Sequence, residues 1–508
     1  MPFERPDRLA RSLLTAAPWG IGLSGLVASA AGRYPEAVAV VDDGGAISYG
    51  EVWERSGRLA SGLGALGAAR GTVVGVMCRN HRGFVVAATA AARTGADLVL
   101  LNTGFPGPQL ADVVAAERIT IVVHDDEFAA ALAYCTGIAS VDEASSAALS
   151  ESGKPLTSRG MHRDGRIVIL TSGTTGRPKG AVRQSGSSGG AGGAGFLVRI
   201  PFRPRDVQVV PAPFFHAWGL SHLMLGIARC ATTVTARRFD PAATLAAIAA
   251  HRARVLVVVP VMLQRIVALE PATTAAVDTS SLQVVAASGS ALGGRLATET
   301  LERFGPVLYN TYGSTEVALA SIADPEQLRC HPTTVGTPAP GARVEILDPS
   351  GHPLPDGEVG RIFVGNDARF DGYTSGGTKE IVHGLMSSGD LGHFEVTEIG
   401  RLLFVDGRDD DMVISGGENL FPGEVEDLLL HHPQIDDAAV VGVPDEEFGQ
   451  VLAAFVVRRR GSRLDASAVR AYVRENLARF KVPKRVEFVK EIPRNPTGKI
   501  LRNQLAQR

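Results

Sequence analysis

Short apolar, β-branched runs alternate with helical patterns over about the first 400 residues, and this alternation restricts the possible folds most strongly. The clearest runs lie at residues 37–41, 72–76, 119–123, 167–170 and 255–259. Strands separated by helices predict an α/β fold with layered, largely parallel sheets that are buried on both faces. Near residues 341–365 the pattern changes to turn-rich strands, which predicts a β-rich, mainly antiparallel subdomain.

The last hundred residues predict a separate small α+β unit. A helix is expected at 424–430 and strands at 438–443 and 452–457, and a second helix begins after Asp465, a residue suited to an N-cap. One face of that second helix would carry Val469, Val473, Leu477 and Phe480. A polar joint at 408–410 precedes this unit. We therefore predict a large N-terminal domain, 1–408, and a small mobile C-terminal domain, 409–508.

Composition excludes several classes of protein. The 508 residues include 51 basic and 53 acidic ones, so the chain lacks the excess of positive charge that is typical of nucleic-acid-binding proteins. Four cysteines without a CxxC pair favour reduced thiols in a cytoplasmic protein over a disulfide framework or a zinc site. A transmembrane segment is not expected, because no uninterrupted run of about 18 apolar residues exists.

A Gly/Ser-rich tract at residues 185–195 imitates two known motifs. It contains the spacings GxGxxG and GxSxG, but no strand directly precedes the first and the second has no strand–turn–helix context. We therefore interpret the tract as a flexible loop.

The most informative segment is residues 171–180, which directly follow the apolar run at 167–170. It reads Thr171, Ser172, Gly173, Thr174, Thr175, Gly176, Arg177, Pro178, Lys179 and Gly180. Glycines allow backbone N–H groups to turn inward, hydroxyls add donors, and Lys179 adds a positive charge, which together suit a polyphosphate chain. The segment is not a Walker A loop, because Lys179 is not preceded by glycine and no Ser or Thr follows it.

These ten residues resemble the phosphate loop of the adenylate-forming superfamily, which includes AMP-forming acyl-CoA synthetases and fatty-acid–CoA ligases. Further segments resemble that superfamily's other motifs in order along the chain. They are 213–216, 287–291, 309–316, 388–390, 407–410, 415–419 and 496–499. The resemblance implies ATP-dependent activation of a carboxylic acid to an acyl-adenylate, with pyrophosphate release, and then thioester formation with coenzyme A.

The resemblance also implies a role for each matched residue in adenylation. Lys179 and the hydroxyl loop would hold the β- and γ-phosphates, Glu316 with Thr315 would bind Mg²⁺, and Lys499 would bridge the acid's carboxylate and the α-phosphate. Tyr312 would stack on adenine, and Asp390 with Arg408 would bind the ribose. The remaining expected ATP and AMP contacts are Ser288, Gly289, Ser290, Ala291, Asn310, Thr311, Gly313 and Ser314. A structural ion pair is the alternative role for Asp390 and Arg408.

The thioester step requires other groups. Asp410 matches the superfamily's hinge, and Ser415, Gly416 and Gly417 would line the coenzyme A channel. His216 would form a wall of the acyl pocket near the carboxylate. Its neighbours are mostly apolar and include Trp218, while His222 is the only titratable residue nearby, which favours a hydrophobic acid and, among these, a fatty acid.

Two rivals remain at this point. One is an adenylating enzyme that loads a carrier-protein thiol or performs a single half-reaction. The other, of a different class, is a non-catalytic nucleotide-binding module. The small-molecule acid, ATP and coenzyme A are the expected partners, and the oligomeric state is left open, with a homodimer as one candidate.

Overall fold

The computed structural model describes ten segments of the chain. They are residues 5–157, 162–172, 178–183, 191–270, 274, 277–409, 411–415, 418–445, 448–495 and 498–507. Among the described residues, no helix combines the length and the apolar character needed to cross a bilayer.

Two large sheets form the first part of the chain, and their central strands are parallel. The seven-stranded sheet has the spatial order Gly372–Tyr373, Pro178–Arg183, Ile167–Ser172, Asp97–Leu100, Val73–Met77, Ile121–His124 and Ala139–Val141. The nine-stranded sheet has the order Thr337–Pro338, Ala318–Ala323, Leu308–Ser314, Val284–Ala287, Val255–Val258, Val207–Val209, Thr232–Val234, Val38–Asp42 and Gly45–Ser48. The five strands predicted from apolar runs all form, and the α/β expectation is confirmed.

Helices cover these sheets. They are Pro6–Ala16, Leu23–Arg33, Tyr49–Ala65, Arg82–Thr94, Gly107–Ala116, Ala129–Leu132, Glu143–Glu151, Ala191–Arg199, Ala217–Ala228, Pro241–Ala250, Pro260–Val267, Gly294–Phe304 and Pro325–Cys330. Short 3₁₀ turns lie at Ala17–Trp19 and Asp126–Phe128. Ala191–Arg199 corrects the loop interpretation of the Gly/Ser tract, whose second half is helical. The helix packs closely on its neighbours, since a Cβ on Gly195 would lie 3.3 Å from both the Leu319 side chain and the Pro340 carbonyl oxygen, and such tertiary packing can outweigh the low helix propensity of glycine.

The predicted β-rich subdomain is a five-stranded antiparallel sheet. Its strands are Arg343–Leu347, Gly360–Gly365, Leu385–Thr397, Ile381–Val382 and Gly400–Arg408. The two longest strands, Leu385–Thr397 and Gly400–Arg408, pair with each other, so residues near 390 face residues near 408.

The C-terminal part has a sheet and a core of its own. Its strands are Val413–Ser415, Glu418–Leu420, Ile435–Asp445, Gly449–Arg458 and Arg485–Phe488. Its helices are Pro422–Leu430, Ala466–Asn476 and Arg502–Ala506, with a 3₁₀ turn at Arg479–Lys481. The buried side chains of this part pack in two clusters that contain only residues from 413 onward. The domain boundary after residue 408 stays a prediction that this separate core supports.

The helix that begins after Asp465 differs in one respect from its prediction. Asp465 caps it as expected, since its carboxylate accepts a hydrogen bond from the Ala468 N–H, and Val469 and Val473 are buried. The helix ends at Asn476 because Leu477 adopts an extended conformation. Phe480 therefore lies on the following turn and is 46% exposed, so its placement on the buried face was wrong.

Candidate active site

The phosphate-loop strands hold Thr171 opposite Lys179. Both residues lie on paired antiparallel strands, and the Thr171 hydroxyl donates to the Lys179 carbonyl at 3.2 Å. Of Ser172 only the backbone is described. The rest of the predicted loop lies outside the described residues, namely Gly173, Thr174, Thr175, Gly176 and Arg177. Lys179 is therefore the residue by which this part of the site can be located.

Tyr373 connects Lys179 to Glu316, a contact that the sequence analysis missed. The Lys179 ammonium lies 5.6 Å from the centre of the Tyr373 ring, and the Tyr373 hydroxyl donates to Glu316 Oε1 at 3.1 Å. Burial, followed by the negative charge of Glu316, raises the pKa of Tyr373, so the hydroxyl keeps its proton and remains a donor. The predicted phosphate and metal residues are thus brought together around one tyrosine.

A tight turn presents Glu316. A Cβ on Gly313 would lie 1.9 Å from the Ala318 carbonyl oxygen, so only glycine fits there. The Ser314 hydroxyl accepts hydrogen bonds from the Glu316 and Val317 N–H groups, each at 3.2 Å. Thr315 and Glu316 are both buried. A carboxylate and a hydroxyl held this way are oxygen ligands of the kind that Mg²⁺ prefers, so these residues fit that ion.

The predicted adenine-edge turn follows the strand Val284–Ala287. The Ser288 hydroxyl donates to the Thr311 carbonyl at 2.7 Å, which ties the turn to the neighbouring strand. Gly289 has φ +96°, and a Cβ there would approach Val259 Cγ1 to 3.3 Å. After it, Ser290 is half-buried and Ala291 is exposed. The glycine leaves a backbone surface that a flat ring could approach closely.

Two of the residues predicted to contact the nucleotide have side chains that bond to backbone carbonyls of the protein. The Asn310 amide donates to the Thr334 carbonyl and the Thr311 hydroxyl to the Ala287 carbonyl, each at 3.3 Å, and both residues are buried. Their described contacts are therefore those of residues that position the strand Leu308–Ser314.

The predicted ribose residues form one cluster with Tyr312. Asp390 and Arg408 are register partners on adjacent strands, and their charged groups lie 3.7 Å apart. The Tyr312 hydroxyl donates to Asp390 Oδ2 at 2.7 Å. Burial raises the pKa of Asp390, while the Tyr312 hydrogen bond and the charge of Arg408 oppose that rise. The ion pair considered from the sequence is present. The Asp390 carboxylate lies beside Tyr312, the residue predicted to stack on adenine.

Lys499 lies on a turn of the C-terminal part that contacts the N-terminal part. The Asn495 side chain accepts from the Lys499 N–H at 2.9 Å, and Gly498 has φ +83°. A Cβ on Gly498 would lie 2.5 Å from Val261 Cγ1, at the start of the helix Pro260–Val267. The Gln264 amide of that helix donates to the Asp436 carbonyl at 3.1 Å, a second contact between the two parts.

His216 faces the same region. It precedes the helix Ala217–Ala228, and the Phe214 N–H before it donates to the Asn80 side chain at 2.8 Å. Burial, with a smaller contribution from the Lys499 charge, lowers the pKa of His216 to about 4, so the imidazole is neutral near pH 7. The charge of Lys499 also lowers the pKa of Asp390, although burial raises it overall, so the ammonium lies near enough to influence both the acyl-pocket motif and the ribose cluster.

The proposed coenzyme A and hinge residues are described only in part. Ser415 is buried and is the register partner of Glu418 in a strand pair. Gly416, Gly417 and Asp410 lie outside the described residues.

A second group of ligand-type side chains lies elsewhere, at Cys78, His81 and Asp125, whose ligand atoms are within 4.8 Å of one another. Hydrogen bonds already use the imidazole, since Nε2 bonds the Asp125 carboxylate at 2.7 Å and Nδ1 accepts from the Gly83 N–H at 3.0 Å. Burial raises the pKa of Cys78 well above its ordinary value, so this thiol is not a thiolate. The group is therefore a poor metal site.

Comparison with known proteins identifies the family. The model of the AMP-binding enzyme family matches residues 27–374, and that of the AMP-binding enzyme C-terminal domain matches residues 424–499. The chain belongs to the AMP-binding enzyme family. It is an enzyme of the AMP-forming acyl-CoA synthetase type, an acid–thiol ligase that uses ATP, Mg²⁺ and coenzyme A.

Three curated relatives and one solved structure are similar over almost the whole chain. A feruloyl-CoA synthase of Amycolatopsis sp is 33% identical over 93% of this chain and 96% of its own. A 2-succinylbenzoate–CoA ligase of Geobacillus kaustophilus is 32% identical over 93% and 95%. A fatty acid–[acyl-carrier-protein] ligase of Streptomyces coeruleorubidus is 29% identical over 93% and 94%. The ATP-bound crystal structure of MatB from Rhodopseudomonas palustris superposes with TM-score 0.84 at 28% identity, covering 96% and 98%.

Proposed function

We propose that this AMP-binding enzyme activates an aromatic carboxylic acid to its acyl-adenylate and then transfers the acyl group to coenzyme A. The observation that carries the proposal is the docked Lys499 turn, which brings one cation near both His216 and Asp390. A cation that influences both residues would serve the place where a carboxylate meets the α-phosphate, if His216 forms the wall of the acid pocket and Asp390 binds the ribose.

Charge neutralisation is the main task of the proposed site. A carboxylate must approach a nucleotide that carries about four negative charges near neutral pH, so cations and aligned dipoles must collect there. Lys179 would hold the outer phosphates, Glu316 would hold Mg²⁺, and Lys499 would neutralise charge between the two reacting groups. The half-buried ring of Tyr312 and the Gly289 turn would hold adenine, with Asp390 at the ribose.

An aromatic acid is better supported than a fatty acid. The helix that follows His216 carries Trp218, whose ring lies 6.1 Å from that of Phe196 on the neighbouring helix. Flat rings pack favourably against such aromatic walls. Two of the three relatives named above have aromatic acids in their names, feruloyl and 2-succinylbenzoate. The fatty acid expected from the sequence remains the second candidate.

A carrier-protein thiol is the alternative acceptor. The fatty acid–[acyl-carrier-protein] ligase named above shows the same coverage of this chain as the two CoA ligases, although its identity is lower. Family membership favours an enzyme over the non-catalytic nucleotide-binding module. A cytoplasmic location and a homodimer remain predictions from the sequence.

The experiment that tests the proposal is a panel of aromatic and alkyl acids scored separately for acyl-AMP and for acyl-thioester. Each acid is offered with coenzyme A and with a phosphopantetheinyl carrier protein. We expect aromatic acids to give acyl-AMP and acyl-CoA at the highest kcat/KM. Alkyl acids that exceed them, or acyl transfer to the carrier alone, would contradict the proposal.

Tyr373→Phe tests the contact that holds Glu316. Because the hydroxyl that donates to Glu316 Oε1 is lost, we expect the Mg²⁺ concentration needed for half-maximal turnover to rise by about tenfold, the scale of one hydrogen bond to a charged group. Tyr134→Phe, at an exposed position, is the matched control and should change nothing. An unchanged Mg²⁺ requirement in Tyr373→Phe would remove this residue from the metal site.

Asp410→Pro tests the rotation between the two half-reactions. Proline fixes φ and removes the N–H donor, so a hinge at this residue would lose its freedom. We expect acyl-AMP to form and accumulate while acyl-CoA production falls by at least about tenfold. Asp409→Ala, one residue earlier, is the control for loss of charge. Normal acyl-CoA production by Asp410→Pro would place the joint elsewhere.

A further inference from the structure

His222 is a buried polar side chain that the proposed reaction does not use. It lies on the helix Ala217–Ala228 and is 1% exposed. Within the described segments, neither of its ring nitrogens has a hydrogen-bond partner. A buried polar group without a partner costs free energy of folding, so one on the helix that directly follows His216 suggests a ligand that completes it.

Aromatic rings surround this imidazole. The centre of the Trp218 ring lies 4.2 Å away, and those of Phe196 and Phe202 lie at 5.6 and 5.7 Å, all with their planes steeply inclined to it. The Gln208 amide donates to the backbone carbonyl of His222 at 3.2 Å and leaves the ring unused. We call these three aromatic residues and His222 the aromatic cage.

The imidazole in the cage is neutral. Burial, and after it the charge of Arg229, lowers the pKa of His222 to about 3. Arg229 is itself engaged, because its guanidinium donates to the Gln208 side chain at 2.9 Å and lies over the Phe202 ring. A neutral imidazole offers one N–H donor and one acceptor nitrogen, and both suit a hydroxyl better than a charged group.

Contacts lead from the cage to the reacting centre. The Trp218 indole N–H donates to the Val258 carbonyl at 3.0 Å. The side chain of the next residue, Val259, would lie 3.3 Å from a Cβ added to Gly289 and 3.6 Å from one added to Gly498. Trp218, two residues after His216, is therefore bonded to the residue next to Val259, which lies near both the proposed adenine turn and the Lys499 turn. Trp218 and His222 follow His216 on one helix, one turn apart, so an aromatic acid whose carboxylate lies near His216 would direct its far end toward the cage.

We propose that His222 binds a hydroxyl group on the ring of the aromatic acid and so determines specificity. This inference rests on the proposed function. A hydroxyl can either accept from the imidazole N–H or donate to the bare ring nitrogen and so gives one of the two a partner, whereas an alkyl or unsubstituted aromatic acid would leave both without one. His222 would be a specificity-determining residue and would take no part in adenylation itself.

Matched acids that differ only by a ring hydroxyl test this inference. The pairs are cinnamate with 4-hydroxycinnamate and phenylacetate with 4-hydroxyphenylacetate, each scored as kcat/KM for acyl-AMP formation. The variants are His222→Phe, which keeps a ring of similar size, and His222→Gln, which restores a donor and an acceptor. His251→Phe, at an exposed position, is the matched control. A melting temperature for each variant separates loss of folding from loss of recognition.

We expect the parent to prefer the hydroxylated acid of at least one pair by about tenfold or more, since a site that hydrogen-bonds a hydroxyl rejects the analogue without it. In His222→Phe that ratio should fall to near one, chiefly through the hydroxylated acid, and His222→Gln should restore part of it. An equal loss for both acids, or an unchanged ratio, would overturn the role of His222 while the aromatic preference stands. Turnover of alkyl acids alone would overturn the proposed function and this inference together.

Discussion

Lys499→Ala is expected to slow acyl-AMP formation by at least about 100-fold, in line with the loss of one charge contact in the transition state. The ammonium lies on a docked turn, near enough that its charge influences both His216 and Asp390. The measurement is the rate of acid-dependent pyrophosphate release. Transfer to coenzyme A from pre-made acyl-AMP should be much less affected, because pyrophosphate has by then left and no carboxylate has to approach a phosphate.

Lys484→Ala is the matched control for this variant. Lys484 lies on the same part of the chain, and its ammonium lies 3.2 Å from the Asp445 carboxylate, so its removal should leave both half-reactions within about twofold of the parent, as is usual for a surface pair. Equal loss of both half-reactions in a folded Lys499→Ala protein would contradict the assigned role.

Gly498→Ala is expected to reduce adenylation by about 100-fold without removing any reacting group. A Cβ at this position would lie 2.5 Å from Val261 Cγ1, and φ +83° is unfavourable for alanine. The turn would then lie farther from the helix Pro260–Val267, and the Lys499 ammonium would be displaced with it. A shift of about 1 Å in a catalytic group is enough for a loss of this size. Acid-dependent pyrophosphate release measures it, and thioester formation from pre-made acyl-AMP should again persist.

The double variant Gly498→Ala, Val261→Ala separates the clash from the backbone strain. Val261→Ala makes room at the contact and by itself should be nearly silent, because Val261 is only half-buried. If docking is the cause, the double variant should recover adenylation at least severalfold over Gly498→Ala. No recovery would mean that the turn acts in another position or that strain alone explains the loss.

Much of the site could be predicted from the sequence, because its residues lie in short ordered motifs. Lys179, Glu316, Asp390 and Lys499 all fall in such segments, and the structure brings the described ones together from four regions of the chain. Asp390 and Arg408 are close because their strands pair in register. Their functional roles remain proposals, and part of the phosphate loop lies outside the described residues.

Other contacts could not be predicted, because they depend on pairing between distant segments. Tyr373 reaches Glu316 only because the short strand Gly372–Tyr373 adds to the edge of the phosphate-loop strand pair. Asn80 holds the segment before His216 from a position 134 residues earlier than Phe214. Neither residue lies in a motif, so no local pattern marks it.

Two local predictions failed for related reasons. The Gly/Ser-rich composition of residues 185–195 predicted a loop, but the chain is helical from residue 191, and close packing at Gly195 against Leu319 and Pro340 accompanies a helix that the weak helix propensity of glycine does not favour. Phe480 fits the helical period after Asp465, yet the backbone leaves the helix at Leu477. Periodicity predicted which residues could share a face and not where the helix would end.

Transfer of an isotopic label tests the central claim most directly. When an acid labelled with ¹⁸O at both carboxyl oxygens attacks the α-phosphorus, one labelled oxygen bridges the acyl group and AMP. The thiol of coenzyme A then attacks the acyl carbon, the bond from that carbon to the bridging oxygen breaks, and AMP leaves with the label. We predict one ¹⁸O atom in each AMP released and none in pyrophosphate. Unlabelled AMP, or label recovered in inorganic phosphate with ADP as the nucleotide product, would contradict an acyl-adenylate intermediate.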